Sequence, residues 1–370
     1  MHVAFDNSIL SQLIPLSIHP TQSNITMVRI NKNSRPLNQR GNRLFNLILI
    51  GLFLIMAGTL STYFVLTKQA KLASMFAEAH SSSHLLSHSK PFLMYGTAWK
   101  KENTARYVME AIQAGFRFID TACQPKHYNE PGVGAGWKAA AAELGLRRED
   151  LFLQTKFTDL GGQDPKNLPY DADAPIEEQV RTSLAVSLKN LQTDYLDSLV
   201  MHGPRDTVEE TMEVWRVMET FVDEGKVKRL GMSNCYDYKK FTTIYEMARI
   251  KPWVLQNRFY AQSNFDTDLR RFLKENGVWY QSFWTLTASR KALAKPEVQE
   301  LAEEKGLTPQ TYMFAFLMSL GLTSPLSGTT SRIHMAEDVA VMERIQAGEV
   351  FFENEEQLRH MAQLLEMPDL

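Results

Sequence analysis

Residues 188–204 read LKNLQTDYLDSLVMHGP: the end of an amphipathic stretch, a polar link, an apolar run at Ser198–Met201, and then His202. The amphipathic stretch spans Ile176–Leu191 with helical spacing, and the apolar run has the length of a buried strand. Working outward, the same unit recurs. Strand-length runs precede it at Phe92–Tyr95, Phe116–Ile119 and Leu151–Thr155, and follow it at Lys228–Gly231, Trp253–Leu255, Trp279–Ser282 and Ser324–Leu326. Helical patterns lie between them at Thr104–Ala114, Val208–Glu224, Tyr238–Ala248, Asp266–Glu275 and Pro309–Leu320. Such alternation predicts an α/β fold with a parallel sheet and crossover helices. Eight repeats in about 255 residues match a closed (β/α)8 TIM barrel of ~250 residues. A doubly wound open sheet is the other candidate, but no G-x-G-x-x-G follows the first strand.

A barrel of this kind does its chemistry at the C-terminal ends of its strands. Read in order, those ends carry Asp120, Lys156 and His202, then Ser233 with Asn234, then Gln256. One polar residue after an apolar run is an ordinary turn. A series of them around one barrel face is expected to be a site.

These residues also carry a resemblance. GFRFIDTACQPKHYNEPGVG (115–134) is similar to the aldo-keto reductase segment in which an Asp ends strand two and a Tyr-bearing turn follows. FLQTKF (152–157) resembles the strand that delivers that family's Lys, and 188–204 its leucine-rich helix and His-x-Pro strand end. The resemblance runs from about Phe92 to Val341 and implies a catalytic tetrad of Asp120, Tyr128, Lys156 and His202. Its chemistry is coherent. Carbonyl reduction by hydride needs a proton donor at the nascent alkoxide, and a free tyrosine has a pKa of ~10. An ammonium at Lys156 is expected to lower the Tyr128 value, Asp120 to keep Lys156 charged, and His202 to hydrogen-bond the carbonyl.

The resemblance also implies a cofactor, NADPH, with NADH tolerated. Gly231-Met232-Ser233-Asn234 resembles the family's G-x-S-N, whose Ser and Asn grip the nicotinamide carboxamide together with a Gln, here Gln256. Gly96 and Thr97, ending the first strand, join this set. In strand seven, simple alignment puts Gln281 where the family stacks an aromatic ring on the nicotinamide. Ser282 stands beside it, and the platform is left to Phe283 or Trp284. Farther on, Gly328 and His334 occupy positions where many relatives carry a Lys and an Arg for the 2′-phosphate. Thr329 and Arg332 are therefore expected at the phosphates, with Glu337 and Asp338 at the adenine end. Cys123 and Cys235 are expected near the cofactor mouth. Thr158–Ala174, acidic and rich in Pro and Gly, is expected to wall the substrate pocket. The tail after Gly348 reads as one amphipathic helix, on the mouth or on the barrel's side.

The 370-residue chain has 40 Lys+Arg against 42 Asp+Glu, so its near-neutral balance gives no footprint for nucleic acid. Two cysteines make neither a disulfide framework nor a zinc site. The leader differs from the body. Residues 44–66 carry no charge and as a helix would extend roughly 35 Å, enough to span a bilayer. The organisation expected is a polar, basic tail at 1–43, a single transmembrane helix at 44–66 that meets the lipid bilayer, a flexible linker at 67–90, a barrel at 91–346 and a C-terminal helix at 347–370. Asn24-Ile25-Thr26 is a glycosylation triplet, and Met27 is an alternative start. His80, His84 and His88 have metal-like spacing, but their Ser-rich setting reads as linker, and no metal is expected. Five basic residues between Arg29 and Arg43 precede the span and Lys68 and Lys71 follow it, which points the barrel to the lumen; a supply of NADPH points it to the cytosol. The function expected is reversible NAD(P)H-dependent reduction of a small aldehyde or ketone, the barrel acting as a monomer. A cofactor-binding regulatory or scaffold protein is the alternative.

Overall fold

The computed structural model describes residues 92–370, which lie within the second of two compact units, residues 80–370. The tail at 1–43, the apolar run at 44–66 and the linker at 67–90 fall outside the described residues. Among those described, no helix is long and apolar enough to cross a membrane.

Eight parallel strands close into a barrel in chain order: β1 Met94–Gly96, β2 Phe118–Asp120, β3 Phe152–Phe157, β4 Ser198–Met201, β5 Leu230–Ser233, β6 Val254–Arg258, β7 Trp279–Phe283 and β8 Thr323–Ser327. Closure is made where Met94 of β1 pairs with Leu326 of β8. The strand β4 sits where its sequence places it. By contrast β2, β3, β5 and β6 run past their apolar stretches to end at Asp120, Phe157, Ser233 and Arg258. Apart from Phe157 and Met232, the extra residues are polar yet paired, because the upper barrel interior is filled largely with hydrogen-bonding side chains.

The lower interior is aromatic. Phe92 stacks on Phe118 at 4.3 Å and meets Trp279 at 4.7 Å, and Phe152 and Trp253 complete the plug. Above it, strand register brings Asp120 level with Gln154 and Gln256 level with Gln281. The barrel is thus sealed with apolar surface below and floored with polar groups above.

The helices are α1 Thr104–Ala114, α2 Glu130–Leu144, α3 Ile176–Leu191, α4 Val208–Asp223, α5 Tyr238–Met247 and α6 Thr267–Glu275. After β7 come α7 Thr285–Ala288, α8 Arg290–Leu293, α9 Pro296–Glu304 and α10 Pro309–Ser319. After β8 come α11 Arg332–Gln346 and α12 Glu355–Leu364. Helix α2 carries little amphipathic signal in its sequence. Its first turns hold three glycines, poor helix formers that obscure the pattern. Gly134 is there for contact: a Cβ would lie 2.1 Å from the Asn190 carbonyl oxygen, so only glycine lets α2 approach the end of α3. Asn129 caps α2 by accepting from the Gly132 N–H at 3.0 Å, which fixes the chain just after Tyr128. Buried Glu130 accepts from Thr155 at 2.6 Å and Ser187 at 2.8 Å, tying the same turn to β3 and α3.

The C-terminal segment takes the barrel's side. Phe352 stacks on Tyr312 of α10 at 5.0 Å, and Lys295 donates to the Leu364 carbonyl at 2.7 Å.

Candidate active site

Lys156 and Asp120 form the centre of the site. The Lys156 ammonium donates to both Asp120 oxygens at 2.7 and 2.6 Å and to the Thr121 carbonyl at 2.8 Å, so its three hydrogens are used. Both side chains are buried. Burial presses the Lys156 pKa below its ordinary value, and the facing carboxylate opposes that. A buried pair is tolerable only when its remaining valences are met. Here three glutamines meet them. Gln154 and Gln256 each donate to Asp120 Oδ1, at 2.8 and 3.0 Å, and each gives its second N–H to Gln281 Oε1, at 2.7 and 2.9 Å.

Tyr128 and His202 stand above this floor. The Lys156 ammonium lies 5.3 Å from the Tyr128 ring centroid, and the Tyr128 and His202 rings meet edge to face at 5.9 Å. His202 follows β4 directly, and its Nδ1 lies 2.7 Å from Thr158 Oγ1. Burial, helped by the Lys156 charge, holds the His202 pKa down to about 3, so the ring is neutral at ordinary pH. Tyr128 departs from expectation. Burial, and after it the Asp120 charge, raise its pKa. The phenol is therefore held protonated rather than acidified.

Asp120, Tyr128 and His202 line a cavity of about 850 Å³ at the C-terminal barrel face, at the large end for a small-molecule site. Gly96, Ser233, Asn234, Gln256, Phe283, Thr329, Glu337 and Asp338 also line it. Asn234 adopts a left-handed φ of 52° and donates to the His202 carbonyl at 2.7 Å, while Tyr236 donates to its Oδ1 at 3.2 Å.

Other expectations are corrected. Gln281 is wholly buried in the amide cluster, two residues below the mouth, and the aromatic rings on the cavity at this strand end are Phe283 and Trp284. Ser282 is buried and accepts from Thr285 at 3.0 Å, and Thr97 donates to the Asp120 carbonyl at 2.8 Å; both brace strand ends instead of facing the cavity. Arg332 turns outward, donating to Gln113 at 3.0 Å and pairing with Glu110 at 3.5 Å. Cys123 and Cys235 are buried away from the mouth, and burial pushes both thiols up to about 12, which leaves them protonated and unreactive. Of the expected wall, Thr158, Asp159, Gly161 and Gly162 border a second, polar cavity of about 450 Å³ that shares Gln124, His202 and Asn234 with the main one.

Three groups escaped the sequence reading. Arg258, ending β6, lines the cavity with its guanidinium 4.5 Å from the Trp284 ring centroid and its buried Nε without a partner among the described residues. Lys100 donates to the carbonyl of cavity-lining Gly328 at 2.9 Å, and burial lowers its pKa to about 8. At the mouth Trp99 packs on His127 at 3.9 Å. Trp99 and Lys100 lie in the loop just past the end of β1, which is the one signal that could have found them.

Comparison with known proteins places this arrangement. Residues 93–353 match the Aldo/keto reductase family. The glyoxal reductase of Bacillus subtilis is 32% identical over 53% of this chain, and the chain spans 63% of that relative's length. The methylglyoxal reductase of Salmonella typhimurium is 29% identical over 66% of this chain and 81% of its own. Among solved structures, the aldose reductase of Schistosoma japonicum superposes with a TM-score of 0.60 at 25% identity, covering 76% of this chain and 89% of its own.

Proposed function

Since the chain belongs to the aldo/keto reductase family, we propose that it reduces a small aldehyde or ketone to an alcohol, reversibly, with NADPH as its preferred cofactor. The observation that carries this reading is the buried Asp120–Lys156 pair beneath Tyr128 and His202 at one cavity. The donor set suits a nicotinamide dinucleotide. Ser233, Asn234 and Gln256 offer hydroxyl and amide groups at one end of the cavity, Phe283 and Trp284 offer ring faces, and Thr329 offers a hydroxyl ahead of α11. Lys100, bound to the Gly328 carbonyl, supplies a cation toward the phosphates in place of the outward-facing Arg332, and Arg258, two residues beyond Gln256 on β6, offers a second cation to the cavity.

When bound, the reduced nicotinamide supplies the hydride. The chain's own groups handle the carbonyl oxygen. His202, neutral, donates a hydrogen bond to it, and Tyr128 gives it the phenolic proton as negative charge develops. An alkoxide is a stronger base than a phenolate, so a raised Tyr128 pKa does not prevent the transfer and keeps the proton in place beforehand. Lys156, charged and bound to Asp120, then stabilises the phenolate.

The names of the relatives above favour small 2-oxoaldehydes as substrates, and the mouth formed by Trp99, His127 and Leu286 is compatible with a compact carbonyl. Replacing Tyr128 by Phe tests the assignment. With methylglyoxal and NADPH, kcat is expected to fall about 10²–10⁴-fold. NADPH binding, read by nucleotide fluorescence, is expected to persist. Unchanged turnover would remove Tyr128 as the acid.

We propose further, on sequence alone, that residues 44–66 anchor the protein as a single membrane span. A cytosolic barrel suits its nucleotide, and digestion of the barrel by protease added to intact microsomes would support that side; protection would place it in the lumen, as the flanking charges suggest.

A further inference from the structure

The segment after β3 does something that its loop-like composition conceals. Thr158 directly follows β3, is 3% exposed, and presents Oγ1 to His202 Nδ1 at 2.7 Å. Among the described residues that hydroxyl has no other partner. If Nδ1 carried the imidazole proton, the hydroxyl would accept it and its own hydrogen would find no acceptor among the described residues, only water in the small cavity that Thr158 borders, which is the costlier arrangement. If the hydroxyl donates, both groups are satisfied, Nδ1 is an acceptor, and the proton of the neutral ring sits on Nε2.

The hydroxyl is also held in that direction. The Thr158 carbonyl accepts from Tyr170 at 2.6 Å and from Gln163 at 3.2 Å, which fixes its backbone from the loop that follows. Its methyl rests against Gly162, where a Cβ would lie only 2.7 Å from Thr158 Cγ2. Gln124 donates to the Gly162 carbonyl at 2.7 Å and holds that turn in place. A β-branched side chain with its methyl seated and its backbone tied has one rotamer left, and it points the hydroxyl at the ring.

We propose that Thr158 is a positioning residue for the reductase: it donates to Nδ1 of His202 and so fixes the tautomer that offers Nε2–H to the carbonyl oxygen. The proposal rests on the reductase reading given above. The stretch 158–174 then serves the catalytic histidine, through Tyr170, Gln163 and Gly162, as well as bordering the smaller cavity.

The test uses the full chain with ring-15N histidine, His202→Gln serving to assign the His202 signals. The expected spectrum has a pyridine-type Nδ1 that accepts a hydrogen bond and a pyrrole-type Nε2. In Thr158→Val, which keeps the shape but loses the hydroxyl, the Nδ1 hydrogen-bond shift is expected to vanish. Its kcat for methylglyoxal should drop roughly tenfold, a modest part of what a positioned acid–base group contributes. NADPH affinity should stay within about twofold. Thr158→Ser is expected to restore both the shift and the rate. A proton on Nδ1 in the parent chain, a Thr158→Val rate equal to the parent's, or a Thr158→Ser variant as slow as Thr158→Val would each overturn the proposal. A parent chain that turns over no carbonyl would instead sink the reductase reading, while the spectrum would still decide the tautomer.

Discussion

At the floor of the cavity, Lys156 and Asp120 are enclosed by Gln154, Gln256 and Gln281, and nearly every donor has its acceptor before any ligand enters. Around the cavity wall, Gly328 after β8 has open space around its Cα, Arg332 faces solvent and Glu110, and Arg258 at the end of β6 keeps a buried N–H without a partner among the described residues. The first region is complete in itself, and the second has groups still to be satisfied. Preorganised donors cost nothing to arrange at the moment of reaction, whereas groups at a binding end can be supplied with partners by the ligand.

Mutations at the floor should therefore damage fold and chemistry together. Lys156→Met leaves the Asp120 carboxylate buried without its cation, and urea unfolding is expected to show a loss of about 3–5 kcal/mol, with turnover abolished. A stable, well-folded variant would break the contrast. Gln281→Leu removes the acceptor for two amide N–H groups and is expected to cost about 2 kcal/mol in the same measurement, with a smaller loss of kcat.

Around the cavity wall, substitutions should touch binding alone. Arg258→Met is expected to weaken NADPH binding about tenfold, the scale of one charge-assisted hydrogen bond, without loss of stability. Arg332→Ala, by contrast, should leave affinity within about twofold, as expected for an exposed surface pair. Equal effects of the two substitutions would show that this end rearranges around its ligand. The smallest effect concerns pH. Burial lifts the Asp338 pKa to about 7, against a Ser327 hydrogen bond at 2.6 Å that favours the carboxylate. Ionisation adds negative charge to the cavity wall only above that pH. NADPH affinity should thus fall about threefold between roughly pH 6 and pH 8, and Asp338→Asn should flatten the trend. By linkage, the same raised value stabilises the fold below the ordinary carboxylate range, and that contribution fades as pH rises through about 7.

Much of the floor was legible because an apolar run that stops at an ionisable residue is unusual. Asp120, Lys156 and His202 each end such a run, and the barrel was legible from the same alternation. What failed had physical causes. Strand ends were placed early because polar residues that continue a strand into a barrel mouth look like turns. Gln281 was set at the mouth for the same reason, although it lies two residues beneath Phe283. Helix α2 was hidden by glycines kept for close packing. Arg332 looked like a phosphate ligand by position, but sequence does not show that Glu110 of α1 lies on its other side.

The amide cluster has a consequence for what the site can read. Gln256 spends both N–H bonds on Asp120 and Gln281, and Asn234 gives its amide nitrogen to the His202 carbonyl and Ser233 Oγ. What both residues have left to offer is oxygen. A bound ring presenting an amide NH₂ would find acceptors there, whereas one bearing a carboxylate would meet oxygens that cannot donate. The same hydrogen bonds that hold the buried pair in place therefore leave this side of the cavity presenting acceptors in place of donors.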